Sequence, residues 1–94
     1  MRRKIVIHSV RGDLSQLDDM VKGWIAENVE VIGIVGLNCD EIHFHIDLIL
    51  SDHELSTRGA DHIMTNSHDD ETLEEVMEFM RLNFNESEPV LVEI

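Results

Sequence analysis

The run at residues 29–36, Val-Glu-Val-Ile-Gly-Ile-Val-Gly, constrains the fold of this chain more than any other feature. It is almost continuous valine and isoleucine, so a strand formed from it has no polar face to present to water. Such strands are typical of parallel sheets that helices cover on both faces. Neighbouring parallel strands also need a crossover of about a dozen residues or more between them. We therefore predict a buried parallel strand with helices before and after it.

Three further short runs predict strands. Residues 4–10 are rich in valine and isoleucine and end in a turn at residues 11–13, while residues 61–66 form a shorter and weaker candidate. Residues 90–94 follow a proline, which is tolerated where a strand begins because no ladder N–H is needed there. The chain therefore supplies four candidate strands.

Two segments, residues 14–25 and 69–84, have apolar residues at helical spacing. Asp13, with a glutamine three residues later, forms a capping box that starts the first helix, and Asn28 provides a left-handed stop. The second helix places its apolar stripe opposite an acidic face, and Asn85 can cap its end. Both helices are long enough to cross from one parallel strand to the next.

Residues 39–51 fit two periods. Apolar and polar residues alternate as in a strand, yet the same segment has a helical stripe made of Ile42, Ile46, Ile49 and Leu50. We predict a helix, because the two parallel strands around this segment need a crossover. His43 and His45 then face different environments. On a strand they would instead share one face with Asp47, as a His-x-His-x-Asp metal motif.

These elements give the order βαβαβαβ. We predict a single α/β domain, residues 1–94, with a four-stranded, mostly parallel sheet and three helices distributed over both faces. This order resembles half of a flavodoxin-like or Rossmann-like fold. Residues 31–36 (Val-Ile-Gly-Ile-Val-Gly) and 67–75 (Ser-His-Asp-Asp-Glu-Thr-Leu-Glu-Glu) also resemble segments of small bacterial α/β proteins of unknown function. The resemblance implies the fold and assigns no activity.

The chain is strongly acidic, with 7 Lys and Arg against 20 Asp and Glu, and its formal net charge is −13 at pH 7. This charge repels phosphate backbones, so nucleic acid is excluded as a partner. The acids are concentrated on the last helix and at Asp40, Glu41, Asp47, Asp52 and Glu54. They predict either a surface that keeps the protein soluble or a face that docks on a basic protein partner, as in acidic inhibitors and immunity proteins.

The cellular compartment is inferred from features that the sequence lacks. The single cysteine, Cys39, cannot form an intramolecular disulfide. The apolar run behind the basic residues 2–4 is too short for a secretory signal, and no run is long enough to span a bilayer. We expect a cytoplasmic protein that has no membrane partner.

A ligand site in such a sheet is expected outside the carboxyl ends of the strands. The polar candidates at these ends are His8, Ser9, Arg11, Asn38, Cys39, Ser67 and His68. Together with helix N-termini they predict a pocket for a small anion, with Arg11 as its clamp. The alternative is structural: Asn38, Ser67 and Asp13 are helix caps, and His8 is a partly buried strand residue.

Cofactor and covalent chemistry receive less support. The chain has neither G-x-G-x-x-G nor G-x-x-x-x-G-K-[ST], and Gly12 alone follows the first strand, so no cofactor is expected. A cysteine at a helix start is expected to have a lowered pKa, and Cys39 with His68 is the pair that fits a thiol nucleophile and its base. No metal site is expected on a helix at residues 39–51.

The most consistent function is that of a non-enzymatic protein-interaction or regulatory module. The alternative is a small anionic-ligand-binding or catalytic module that uses the polar residues at the strand ends. A homodimer through a sheet edge is a further expectation. Neither residues 29–36 nor residues 90–94 contain the lysines that commonly protect an exposed edge strand.

Overall fold

The computed structural model describes residues 3–52 and 63–94. Within these residues four strands alternate with three helices. The strands are β1 (Lys4–Ser9), β2 (Val31–Gly36), β3 (Met64–His68) and β4 (Val90–Glu93), and the helices are α1 (Leu17–Ala26), α2 (Cys39–Leu50) and α3 (Leu73–Leu82). This order confirms the predicted α/β class. β3 begins later than predicted, and the first two residues of its predicted range, 61 and 62, lie outside the described part of the chain.

All strand pairs in the sheet are parallel, and the strand order is β3-β2-β1-β4. The chain runs outward from β1 through β2 to β3 and then returns to the opposite side of β1, where it forms β4. The direction of winding therefore reverses between β1 and β4. With right-handed crossovers, this reversal places α1 and α2 on one face of the sheet and α3 on the other.

Each face of the sheet has its own apolar core. The larger core joins Ile5, Ile7, Ile32 and Ile34 of the sheet to apolar residues of α1 and α2, including Leu17, Val21, Ile42 and Ile46. The smaller core joins Val6, Val31 and Val35 to Val76 and Met80 of α3. Because alternate residues of β1 and β2 enter opposite cores, both faces of these two central strands are covered. This confirms the predicted burial for residues 31–35, whereas Gly36 at the end of β2 is exposed.

The ambiguous segment is helical, as predicted. α2 extends from Cys39 to Leu50 and buries Ile42 and Ile46 against the sheet. The two histidines of the segment have different surroundings: the His43 ring contacts hydroxyl groups of β3, while the His45 ring contacts Asp18 of α1. The metal motif that a strand would have formed is therefore absent from this helix.

The predicted starts of the first and last helices were wrong in detail, whereas α2 begins at Cys39 as predicted. α1 begins at Leu17, about one turn later than expected, because Asp13 Oδ1 accepts from the N–H of Ser15 and forms a local turn instead of a helix cap. The cap of α3 is Thr72, whose hydroxyl accepts from the N–H of Glu75 while the Glu75 carboxylate accepts from the N–H of Thr72. The predicted left-handed stop at Asn28 is confirmed by its φ of 60°.

The C-terminus of α3 is held by a side chain from β1. The Lys4 side chain is completely buried, and its ammonium donates to the carbonyl oxygens of Met80, Asn83 and Asn85. The helix ends at Leu82, and Asn85 contributes to this end through its backbone carbonyl rather than as the predicted side-chain cap. A buried cation at this position complements the partial negative charge of a helix C-terminus.

None of the helices within residues 3–52 and 63–94 has the length and apolar character that a bilayer span requires.

The predicted homodimer concerns β4, since β2 is a central strand while β4 pairs with β1 alone in the described sheet. Glu88 precedes β4 and Glu93 ends it, so pairing about a two-fold axis would bring Glu88 of one copy toward Glu93 of the other. Repulsion between exposed charges is screened over about 8 Å at physiological salt. We therefore expect any self-association through β4 to strengthen as salt is added, measured by sedimentation at low and high salt. A dimer that dissociates with added salt would contradict pairing at this edge.

Candidate functional site

The predicted strand-end residues do not converge on one pocket. Side chains alternate between the two faces of β1, so Ser9 follows Ile7 toward α1 and α2, whereas His8 follows Val6 toward α3. Ser9 is buried and His8 is partly buried. His8 Nδ1 and Ser9 Oγ are both enclosed and form no hydrogen bond with the described part of the protein. The sheet itself thus separates two of the predicted ligand-binding side chains.

The start of α2 does not provide an activated thiol. Asn38 occupies the N-cap position in a left-handed conformation, and its side chain caps no N–H of the helix. Cys39 is buried, and this burial, together with the carboxylates of Asp40 and Asp69, raises the pKa of the Cys39 thiol above its ordinary value of 9.0. The expected lowering of this pKa is therefore wrong, because burial and acidic neighbours outweigh the effect of the helix N-terminus.

A network of polar side chains joins α2 to β3 around Ser67. His43 lies between two hydroxyl groups: its Nδ1 is 3.1 Å from Ser67 Oγ and its Nε2 is 2.9 Å from Thr65 Oγ1. Each hydroxyl also donates to a carboxylate of α2, Ser67 to Asp40 at 2.9 Å and Thr65 to Asp47 at 2.7 Å. Ser67 is thus a strand residue within this network and not the helix cap of the structural alternative.

Ser67, His43 and Asp47 have the residue types of a hydrolase triad, and His43 Nε2 lies 3.3 Å from Asp47 Oδ2. The geometry does not support that chemistry. The Ser67 hydroxyl donates to Asp40 and not to the imidazole that would have to remove its proton. Asp40 and Glu41 also place negative charge in the first turn of α2, where a developing oxyanion would need donors. We interpret the network as the polar contact that fixes β3 to α2.

His68 is fully engaged on the opposite face of β3. Its Nδ1 is 2.7 Å from Glu71 Oε1 and its Nε2 is 2.6 Å from Asn66 Oδ1, while its ring packs against Phe79 with the centroids 5.5 Å apart. Neither ring nitrogen is free to remove a proton from Cys39. Cys39 and His68 therefore do not form the thiol and base of the covalent alternative. Arg11 lies apart from these residues, past the end of β1, where it lines a separate cavity.

The most exposed apolar side chains of α2 form a ridge on its outer side. Phe44 is 66% exposed and Leu48, one turn later, is 56% exposed. Both lie opposite the buried stripe of the helix, and exposed carboxylates flank them: Asp40, Glu41, Asp47 and Asp52. We call Phe44, Leu48 and these four acids the α2 face. It combines a bare apolar centre with an acidic border.

A groove continues this surface toward α1. Its volume is about 250 Å³, and it is lined by Asp18, Lys22, His45, Leu48, Ile49 and Asp52. His45 Nε2 lies 2.9 Å from Asp18 Oδ1 and links the two helices beside the groove. Leu48 therefore belongs both to the α2 face and to the groove. Among the described residues that line the groove, Lys22 is the one lysine or arginine.

Metal binding has no support in the described part of the chain. No three or more histidine, cysteine, aspartate or glutamate side chains lie together there in a way that could hold an ion.

The acids around α2 agree with the predicted acidic surface, but the apolar ridge between them is not among the predicted site residues. The signal was available in the helical prediction, because Phe44 and Leu48 fall on the side opposite Ile42 and Ile46. Large apolar residues on the outer side of an amphipathic helix indicate such a ridge.

Comparison with known proteins gives a family and no function. A family model described as "Domain of unknown function (DUF7684)" matches residues 3–93, which is almost the whole chain. Searches of curated proteins and of solved structures found no match. The chain belongs to the DUF7684 family.

Proposed function

We propose that the protein is a non-enzymatic interaction module of the cytoplasm, and that its α2 face docks on a basic protein partner. The observation that supports this most directly is the exposure of Phe44 and Leu48 between four carboxylates. Large apolar side chains on a folded surface are exposed to water, and the free energy falls when a partner covers them. Their acidic border favours partners whose own apolar contact is surrounded by lysine and arginine.

The partner chemistry follows from charge as well as from shape. A net charge of −13 attracts basic surfaces at long range and raises their rate of association. Binding energy in such contacts comes mainly from a few large side chains at the centre, while charges at the border set orientation and specificity. Phe44 and Leu48 supply the centre, and the groove beside Leu48 extends this surface with Ile49 and the carboxylates of Asp18 and Asp52. The expected partner surface is therefore amphipathic and basic.

Two other interpretations receive less support. An acidic surface also serves solubility, but that role gives no reason for a phenylalanine and a leucine to be exposed one turn apart. The catalytic alternative needs the strand-end residues to meet. In the structure Ser9 and Cys39 are buried, and Ser67 and His68 are held in separate hydrogen-bond networks.

The test compares three immobilised forms of the protein: wild type, Phe44→Ala with Leu48→Ala, and Leu82→Ala. Leu82 is a matched control, because it is 73% exposed on a helix and lies outside the α2 face. We expect a binding protein with a basic surface to be recovered at least about tenfold less by the double variant, because central apolar contacts dominate binding. Its recovery by Leu82→Ala should remain unchanged.

Recovery by the wild type should also fall as salt is raised from about 0.05 M to about 0.3 M, since charge attraction is screened. The purified binder, titrated against the same three forms, should reproduce this order of affinities. Equal recovery of the same proteins by all three forms, or no protein recovered by the wild type, would contradict the proposal.

A further inference from the structure

A second cavity lies where the winding of the sheet reverses, and it shares no residue with the α2 face. Its volume is about 170 Å³, and the residues around it are Arg11, Asp13, Gln16, Met20, Glu93 and Ile94. Arg11 and Asp13 follow β1, and Glu93 ends β4. In open parallel sheets, ligands bind outside the carboxyl ends of the strands at this kind of reversal. The position of the cavity is thus the one in which this fold class places its ligands.

The backbone around the cavity is held in place by hydrogen bonds. The N–H groups of Val10 and Arg11 both donate to the carbonyl oxygen of Ile94 at 2.9 Å. The N–H of Ile94 donates to the backbone carbonyl oxygen of His8 at 3.1 Å. Gly12 turns the chain away from β1 with a φ of 68°. The segment that presents Arg11 is therefore fixed to the end of β4, so the cavity is built from two strands that hold each other in register.

The charges around the cavity have both signs. Arg11 is exposed and forms no ion pair with a side chain of residues 3–52 or 63–94. Asp13 is ionised, because hydrogen bonds from Ser15 and the nearby Arg11 guanidinium lower the pKa of its carboxyl. Glu93 adds a second carboxylate. A simple anion would meet two negative groups for one positive group, and a simple cation would meet the guanidinium.

A ligand with both charges avoids this conflict. We propose that this cavity binds a small zwitterion, namely a free α-amino acid with an apolar side chain. Its carboxylate pairs with the Arg11 guanidinium, which suits carboxylates because its donors form a planar fork. Its ammonium group is placed toward Asp13 and Glu93. Its side chain lies against Met20 and Ile94, which are the apolar residues among those described around the cavity.

The size of the cavity agrees with this class of ligand. At about 30 Å³ for each water molecule, 170 Å³ corresponds to roughly six waters, which is the scale of one amino acid. Pockets for larger cofactors and drug-sized molecules occupy about 300–1,000 Å³. A nucleotide would also place its phosphates beside Asp13 and Glu93.

The experiment titrates the whole protein with alanine, valine, leucine and methionine and follows the backbone amide signals of residues 10–13, 93 and 94 by NMR. Two analogues of leucine separate its charges: 4-methylpentanoate has only the carboxylate, and isoamylamine has only the ammonium. We expect leucine or methionine to shift these amides, and each analogue to bind at least about tenfold more weakly, because a charge-assisted hydrogen bond is lost.

Arg11→Gln and Glu93→Gln should each weaken binding about tenfold or more, whereas Arg3→Gln should change it less than about twofold. Arg3 is the matched control, because it is an exposed arginine paired with Glu27, away from this cavity. The amide spectra also report whether each variant is folded. The proposal is overturned if none of the four amino acids shifts these amides, or if 4-methylpentanoate binds as tightly as leucine, which would indicate a plain anion site.

Discussion

Replacement of Lys4 with methionine is expected to lower the free energy of unfolding by about 3 kcal/mol. The Lys4 ammonium is buried and donates to the carbonyl oxygens of Met80, Asn83 and Asn85, the last two at 3.1 and 2.8 Å. Methionine has a similar length but no donor, so buried and partly buried carbonyls at the end of α3 would lose their partner. Urea denaturation followed by circular dichroism measures the change.

Lys22→Met is the matched control, because Lys22 is exposed on α1. Its effect should stay within about 0.5 kcal/mol, as for most surface substitutions. Equal losses in the two variants would contradict a specific role for the buried ammonium. If Lys4→Met were as stable as the wild type, this result would also contradict that role, because apolar packing would then replace the lost hydrogen bonds.

The effect of Lys4 also depends on pH with a defined sign. Burial lowers the pKa of Lys4 from its ordinary value of 10.5, and the carboxylates of Glu88 and Glu30 oppose this change in part. Between the lowered pKa and 10.5, the unfolded chain binds more protons at this residue than the folded protein does. The contribution of Lys4 to the free energy of unfolding therefore rises with pH in that window. The difference in free energy of unfolding between the wild type and Lys4→Met should therefore increase with pH in this window. A difference that decreases would contradict the lowered pKa of Lys4.

Lys4 also illustrates which part of the structure a sequence can predict. The β-branched run after Lys4 identified β1, because the preference of such residues for strands is local. Nothing in that run indicates that the ammonium is buried. Its partners are backbone carbonyls 76 to 81 residues later, and every residue has such a group. Their position depends on where α3 crosses the sheet, which local patterns do not specify.

Residues 39–50 show the same difference between what local patterns predict and what depends on distant parts of the chain. The helical stripe and the need for a crossover were sufficient to predict α2. The contacts of His43 with Ser67 and Thr65 required in addition the register of β3 and the rotation of α2 about its axis. The separation of Ser9 from His8, two of the strand-end candidates, has a related reason. Both residues end one strand, but neighbouring residues of a strand point to opposite faces.

Replacement of Gly36 with alanine is expected to lower the free energy of unfolding by about 3 kcal/mol, through strain and overlap together. Gly36 has a φ of 105°, a conformation that residues with a Cβ rarely adopt. A Cβ at this position would lie 2.5 Å from the carbonyl oxygen of Ser9, on the paired strand β1. That oxygen is fixed, because it also accepts from the N–H of Leu37 at 2.9 Å. The overlap is therefore with backbone, which can move only if β1 and β2 separate at their ends.

Gly23→Ala is the control for this change. Both substitutions remove a glycine from the unfolded chain, so the comparison cancels most of the entropy that alanine removes there. A Cβ at Gly23 meets nothing within 4 Å, and this residue lies inside α1, so alanine should raise the free energy of unfolding by about 1 kcal/mol. The two variants should therefore differ by about 4 kcal/mol in urea denaturation. A Gly36→Ala protein less than about 1 kcal/mol below the wild type would show that the ends of β1 and β2 can separate at little cost, contrary to the register of Ser9 with Gly36.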